Sequence, residues 1–231
     1  MKLYYSPGAC SLAPHIALQE IGLPFSAIKV DLKAHKLEDG TDYYTVNPKG
    51  YVPMLEISGA EKLTEAAVLL QYIADRKPGE LAPVFGTMER YRLMEWLNFI
   101  ATELHKQFGP LWNPTTHETT KEAQRKKLAT RFETLSKTLG KQPYLTGDKF
   151  TIADAYLFTI LNWAGMLNVD LGPFPVLRDY LARVAARPKV QQAMKAEGLI
   201  KEPSTKHDTH FPEYPAEAIL DWHRKRGLYV E

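Results

Sequence analysis

The chain has 231 residues, 45% of them hydrophobic and 24% charged, with a formal net charge of +2 and one cysteine. Near-neutral charge argues against nucleic acid or an anionic membrane as partner. A single cysteine excludes a disulfide framework and any two-cysteine redox motif. No apolar run reaches transmembrane length and no secretory leader is recognisable, so the expected setting is cytoplasmic.

In chain order, Lys2-Leu3-Tyr4-Tyr5 is short, apolar and aromatic and reads as a strand, and Pro7-Gly8 signals a tight turn. Leu12, His15, Ile16 and Leu18 then begin a helix, with Ser11 as the expected N-cap and Gly22 and Pro24 as its stop. The lone thiol, Cys10, therefore sits where a strand hands over to a helix N-terminus. Free N–H groups and the helix dipole there favour a thiolate, which is the expectation for Cys10.

Phe25 to Val30 reads as a second strand and completes a βαβ unit with parallel pairing. Residues 31–42 are polar and read as a loop or short helix, and Asn47-Pro48-Lys49-Gly50 as a turn. After Val52-Pro53 come a strand, Met54 to Ile57, a turn at Ser58-Gly59 and a short strand around Lys62-Leu63. A helix from Thr64-Glu65 is expected to bury Ala67, Val68, Leu70, Tyr72 and Ile73 before Lys77-Pro78-Gly79 breaks it.

Beyond a Pro/Gly-rich linker at 77–86 the strands vanish. Tyr91, Met94, Leu97, Ile100, Leu104 and Phe108 recur at helical spacing and predict one uninterrupted helix from Met88 to about Leu111. That helix would place Asn98 and His105, two turns apart, on the same face. Helices are also predicted over 118–140, 175–186 and 188–197, and Thr151-Ile152-Ala153-Asp154 reads as a capping box before an apolar helix. The sequence thus divides into an α/β domain over 1–80, an all-helical domain over 87–202 and an extension over 203–231. The extension carries three prolines and three of the seven histidines. It is expected to dock on the surface, with a short helix over 215–222, and to be dispensable for the fold. His207 and His210 lack the cysteines or carboxylates of a metal site, so no metal is expected.

Several of these segments together resemble the bacterial glutathione transferases of the beta class. Lys2-Leu3-Tyr4-Tyr5, Pro7-Gly8, Cys10-Ser11-Leu12 and Pro14-His15 are similar to the family's opening, and Asn47-Pro48-Lys49-Gly50, Val52-Pro53 to its cis-proline segment. Leu63-Thr64-Glu65 resembles its γ-glutamyl-binding turn, Glu95 to Lys106 its fourth helix and Thr151 to Phe158 its capping-box core. The resemblance covers residues 1–202. It implies a thioredoxin-like N-terminal domain, a helical-bundle C-terminal domain and a homodimer binding one glutathione per subunit. The glutathione-binding set it implies is Ala9, Cys10, His35, Val52, Pro53, Glu65, Ala66, Asn98, Glu103, His105 and Lys106, with Cys10 and His105 catalytic. Val52 would pair with the peptide backbone, Glu65 and the Ala66 N–H would hold the γ-glutamyl group, and Glu103 would reach the partner subunit's glutathione. Phe108, Trp112 and Trp163 are the expected hydrophobic co-substrate site. His35 departs from the pattern, standing where the family has a lysine for the glycine carboxylate.

Read without the resemblance, Val52-Pro53 is an edge-strand proline, Thr64-Glu65 a helix start and His105 a helix histidine. The leading expectation is an enzyme that delivers the glutathione thiolate to small hydrophobic electrophiles in detoxification. The alternatives are glutathione-dependent thiol–disulfide exchange or reductive dehalogenation through Cys10, and a non-catalytic ligand-binding protein on the same scaffold.

Overall fold

The computed structural model describes residues 1–58 and 61–200. The turn at Gly59 and every expectation for 203–231, the His207/His210 pair and the 215–222 helix included, lie outside the described residues.

The N-terminal half runs β1 (Lys2–Tyr5), α1 (Leu12–Ile21), β2 (Ser26–Asp31), β3 (Lys36–Leu37), α2 (Tyr43–Val46), β4 (Met54–Ser58), β5 (Glu61–Thr64) and α3 (Ala66–Ala74). Its sheet has the order β3-β2-β1-β4-β5. β1 and β2 pair in parallel, Leu3 opposite Ala27, as the crossover through α1 requires. β4 lies antiparallel to β1 and to β5, with Leu55 opposite Leu3 and Leu63. The βαβ unit and the hairpin stand as expected. The two-residue β3, antiparallel to β2, occupies part of the stretch read as a loop or short helix.

α1 is the middle layer, packed against α3, α7 (Ile152–Leu161) and α10 (Pro188–Ala196). Eight of its ten residues are buried, because sheet and helical domain cover opposite sides of it. Gly22 ends it in the left-handed region at φ 68°. Ser11 does not cap it, contrary to expectation. The Ser11 hydroxyl instead accepts from the Ser6 N–H and donates to the Ser6 carbonyl, closing the turn that carries Cys10.

The helical half contains α4 (Met88–Phe99), a π-helical segment (Ile100–His105), α5 (Lys106–Trp112), α6 (Glu118–Leu139), α7, α8 (Trp163–Met166), α9 (Pro175–Ala185) and α10. The expected single helix from Met88 to Leu111 is therefore interrupted. An i→i+5 segment takes up an extra residue and rotates everything after it, a device frequent at functional sites. Asn98, before this segment, is exposed, while His105, which closes it, is half-buried. Val68, expected to be buried, is 45% exposed, and Tyr91, one of the apolar positions at helical spacing, is 50% exposed.

One continuous core runs from Leu3 and Leu55 of the sheet through α1 to Phe132, Tyr156 and Val190 of the helices. A smaller cluster, Tyr4, Val30, Tyr43, Val52 and Met54, covers the other face of the sheet. Asp154, wholly buried, accepts from the Thr151 N–H and hydroxyl, the Leu145 N–H and the Tyr180 hydroxyl, so the capping box also ties α7 to α9 and the 142–151 loop. Between the halves, the Arg90 guanidinium, 1% exposed, grips Asp75 at 2.7 and 3.1 Å.

Candidate active site

The turn after β1 places Cys10 at the mouth of α1. Gly8, at φ 71°, adopts a left-handed conformation that glycine accepts without strain. Its carbonyl and its N–H are both held by the helical domain: Trp163 Nε1 donates to the Gly8 carbonyl at 2.9 Å, and the Gly8 N–H donates to Glu197 Oε2 at 2.9 Å. Glu197 Oε1 lies 2.8 Å from His15 Nδ1, both side chains essentially inaccessible to water. Burial pushes the Glu197 carboxyl up, and the His15 ring and Gly8 N–H oppose that shift. Sequence reading missed Glu197 and Gly8 as site-building residues.

The Cys10 thiol donates to the Val52 carbonyl at 3.4 Å. Its acidity corrects the expectation of a thiolate. The Cys10 and Ser11 N–H groups do lower its pKa, as a helix start should. Burial outweighs them, with a further rise from the Glu65 and Glu197 charges, and pushes the thiol up to about 12. At neutral pH Cys10 is a neutral donor.

Opposite lies the Val52-Pro53 peptide, cis as the resemblance implies. Val52 and Pro53 are buried, and the Val52 N–H has no acceptor among the described residues. Glu65 follows β5 at φ 71°, an outlier for a non-glycine residue, and opens α3 with its carbonyl accepting from Val68 and Leu69 N–H. Its exposed carboxylate accepts from the Tyr51 hydroxyl at 2.9 Å and from Lys49 Nζ at 3.4 Å. Ala66, next along, is buried at the first turn of α3.

Both ring nitrogens of His35 have partners within the chain. Its Nδ1 donates to the Gly50 carbonyl at 3.0 Å, its Nε2 meets the Tyr44 hydroxyl at 3.3 Å, and its ring stacks on Tyr44. Lys33 and Lys36 are exposed nearby in sequence.

On the helical side, His105 closes the π segment. Its Nδ1 lies 2.7 Å from the Tyr156 hydroxyl, and its ring meets Trp163 edge-on at 5.0 Å. Burial lowers its pKa to about 4, with Lys106 adding to the drop, so His105 is neutral at pH 7. Lys106 is exposed. Glu103 is engaged within its own chain by Arg131 on α6, at 2.6 and 2.7 Å. The expected hydrophobic trio meets around Trp163, whose ring lies edge-on to Phe108 at 5.9 Å and to Trp112 at 5.5 Å, but its members differ in exposure: Phe108 is fully buried, Trp163 is 6% exposed, and only Trp112, 41% exposed, presents a large open surface. Among the described residues no group of three His, Cys, Asp or Glu side chains could hold a metal.

Residues 1–75 match the family model described as the glutathione S-transferase N-terminal domain, and residues 99–188 match the C-terminal domain model. Glutathione S-transferase GstA of Escherichia coli O157:H7 is 47% identical over 201 residues, spanning 86% of this chain and all of that one. The chain belongs to the glutathione S-transferase family. Among solved structures, the beta-class glutathione S-transferase of Sphingomonas chungbukensis is 47% identical, with a TM-score of 0.83 over 87% of this chain and all of that one. A sphingomonad glutathione S-transferase complexed with glutathione is 46% identical, with a TM-score of 0.82 and the same coverage of 87% and 100%. The transferase is thus a beta-class bacterial type in sequence and in fold.

Proposed function

We propose that this transferase binds glutathione across the cleft between Val52 and Glu65 and conjugates its sulfur to small hydrophobic electrophiles, as a detoxifying enzyme of the cytoplasm. One observation carries the reading: Cys10, the unpaired Val52 N–H and the strained Glu65 converge from three separate elements. An extended peptide can add to the Val52 edge by main-chain hydrogen bonds. The γ-glutamyl carboxylate suits the N–H groups opening α3, and its ammonium suits the Glu65 carboxylate. Pairing that ammonium with Glu65 removes a negative charge that opposes ionisation of sulfur beside Cys10.

In this reading Cys10 donates a hydrogen bond to the glutathione sulfur and His105 supplies a second. Trp112 offers the open apolar surface for the electrophile. The remaining assignments, Ala9, Pro53 and Ala66 beside the tripeptide, Asn98 and Lys106 at the helical rim, and Glu103 toward a neighbouring subunit, rest on the family resemblance. Exchange or dehalogenation with Cys10 as nucleophile is disfavoured by the raised thiol pKa. A homodimer fits the exposed Phe85, in the turn before α4, and Met88 and Tyr91 in its first turn, 67%, 65% and 50% accessible, an apolar patch that a second copy would cover.

Three measurements test the proposal. Calorimetric titration with glutathione should show saturable binding, and a panel of aryl halides and mixed disulfides should show conjugate formation exceeding disulfide reduction. Absence of binding at millimolar glutathione overturns it. Sedimentation at micromolar concentration should give twice the monomer mass.

A further inference from the structure

We infer that Tyr156 is a positioning residue that fixes His105 as the neutral tautomer with its proton on Nε2, making it a donor toward the reacting sulfur and not a base. The inference rests on the glutathione-conjugating reading above for its consequence, though not for its geometry.

Tyr156 lies on α7 with 2% of its surface exposed. Its hydroxyl has one partner among the described residues, His105 Nδ1 at 2.7 Å. A phenol carries one proton, and a buried hydroxyl that fails to donate it loses a hydrogen bond without recovering one from water. Among the described residues the only acceptor in reach is a bare Nδ1, so the imidazole must carry its proton on Nε2. The opposite arrangement, Nδ1–H donating to the tyrosine oxygen, would strand the phenolic proton and turn a lone pair toward the cleft, where it would repel a sulfur anion.

Neither alternative charge state competes. Burial holds the Tyr156 phenol far above its usual range, with the Cys10 and Glu65 charges adding to the rise, so it stays a donor. Burial and Lys106 hold the ring below its usual range, and Glu65 offsets that only in part. The ring cannot turn over to exchange its nitrogens freely. Trp163 meets it edge-on at 5.0 Å and Tyr156 at 5.8 Å, while Trp163 is pinned by its bond to the Gly8 carbonyl. The chain Tyr156–His105–Trp163–Gly8 therefore refers the imidazole to the turn that bears Cys10. Among the described residues Nε2 has no hydrogen-bond partner, which leaves it available to the sulfur.

The test is long-range 1H–15N NMR on protein labelled at histidine, with His105 assigned by its loss in His105→Gln. The expected result is a pyridine-type Nδ1 and a protonated Nε2 from pH 5.5 to 8, and a tautomer mixture in Tyr156→Phe. A protonated Nδ1 in the wild-type protein overturns the inference, whatever Tyr156→Phe does. Kinetically, Tyr156→Phe should lower kcat for conjugation about tenfold with the KM for glutathione within about twofold. An unchanged kcat, or a loss confined to KM, also overturns it. Glutathione titration in the same samples separates the two claims: no binding refutes the conjugation reading, while binding with a protonated Nδ1 refutes only the role of Tyr156.

Discussion

The two walls of the cleft are built from opposite materials. On the Cys10 wall the polar groups are buried or half-buried, and two of them are answered across the domain boundary, Gly8 by Trp163 and Glu197 and His15 by Glu197, while Ser6 is answered within the turn by Ser11. On the Glu65 wall the polar groups are exposed and answer one another locally, Tyr51 and Lys49 to Glu65 and Tyr44 to His35. A buried network loses heavily when one member goes, because its partners are left dry and unpaired, whereas exposed partners turn to water. On the proposed binding mode, the sulfur would be held by structure that tolerates little change, and the peptide by a rim that can be altered without unfolding the protein.

The sharpest break in that contrast is Glu197→Ala, which orphans His15 Nδ1 and the Gly8 N–H together. It should lower unfolding free energy in urea by about 3–5 kcal/mol and abolish conjugation. His105→Ala should leave the fold in place and reduce kcat/KM by the worth of one hydrogen bond to a charged sulfur, ~1.5–3 kcal/mol. His105 also makes stability depend on pH. Its folded pKa of about 4 lies below the unfolded value, so the unfolded chain takes up a proton that the folded one refuses. The contribution is present above pH ~6.5 and is lost as pH falls toward 4. Between pH 7 and 4 the wild type should lose about 2–3 kcal/mol more than His105→Gln, read from urea midpoints.

Cys10→Ser is milder. The hydroxyl can still donate, so conjugation should persist within about tenfold, while intact-mass spectrometry should show no glutathione adduct after diamide. Wild-type protein should gain one glutathione per chain in that assay. Complete loss of conjugation in Cys10→Ser with His105→Ala unaffected would make Cys10 the obligatory nucleophile. The smallest effect belongs to the rim. Lys49→Ala should change stability by no more than about 0.5 kcal/mol, since its partners are solvated, and act on the KM for glutathione alone.

What was legible in the sequence follows the reach of each interaction. The Cys10 elbow, the hairpin after Pro53 and the Thr151–Asp154 box are written in neighbouring residues, and all three stand. The Gly8–Glu197 bond joins positions 189 residues apart, and nothing local to Glu197 distinguishes it from any helix-end glutamate. The π segment has no residue signature, since Ile100 to His105 suits an α-helix equally well. Val68 and Tyr91 keep core periodicity yet face outward, because the spacing of apolar residues reports a face to be covered and not what covers it. The thiol was misjudged for a physical reason: the helix start acts on it in the expected direction, but a dipole argument contains no term for burial, and burial prevails.

The clamp on Gly8 also has a meaning in time. During synthesis the N-terminal half can pair β1 with β2 and lay α1 across the sheet long before residue 197 leaves the ribosome. Until α10 arrives, His15 and the Gly8 N–H have no carboxylate, and before Trp163 emerges the Gly8 carbonyl has no donor. The first turn of the chain is therefore completed by its last described helix. A nascent or truncated chain ending before α10 would carry Cys10 in an unfinished turn, without the Glu197 carboxylate that fixes Gly8 and His15.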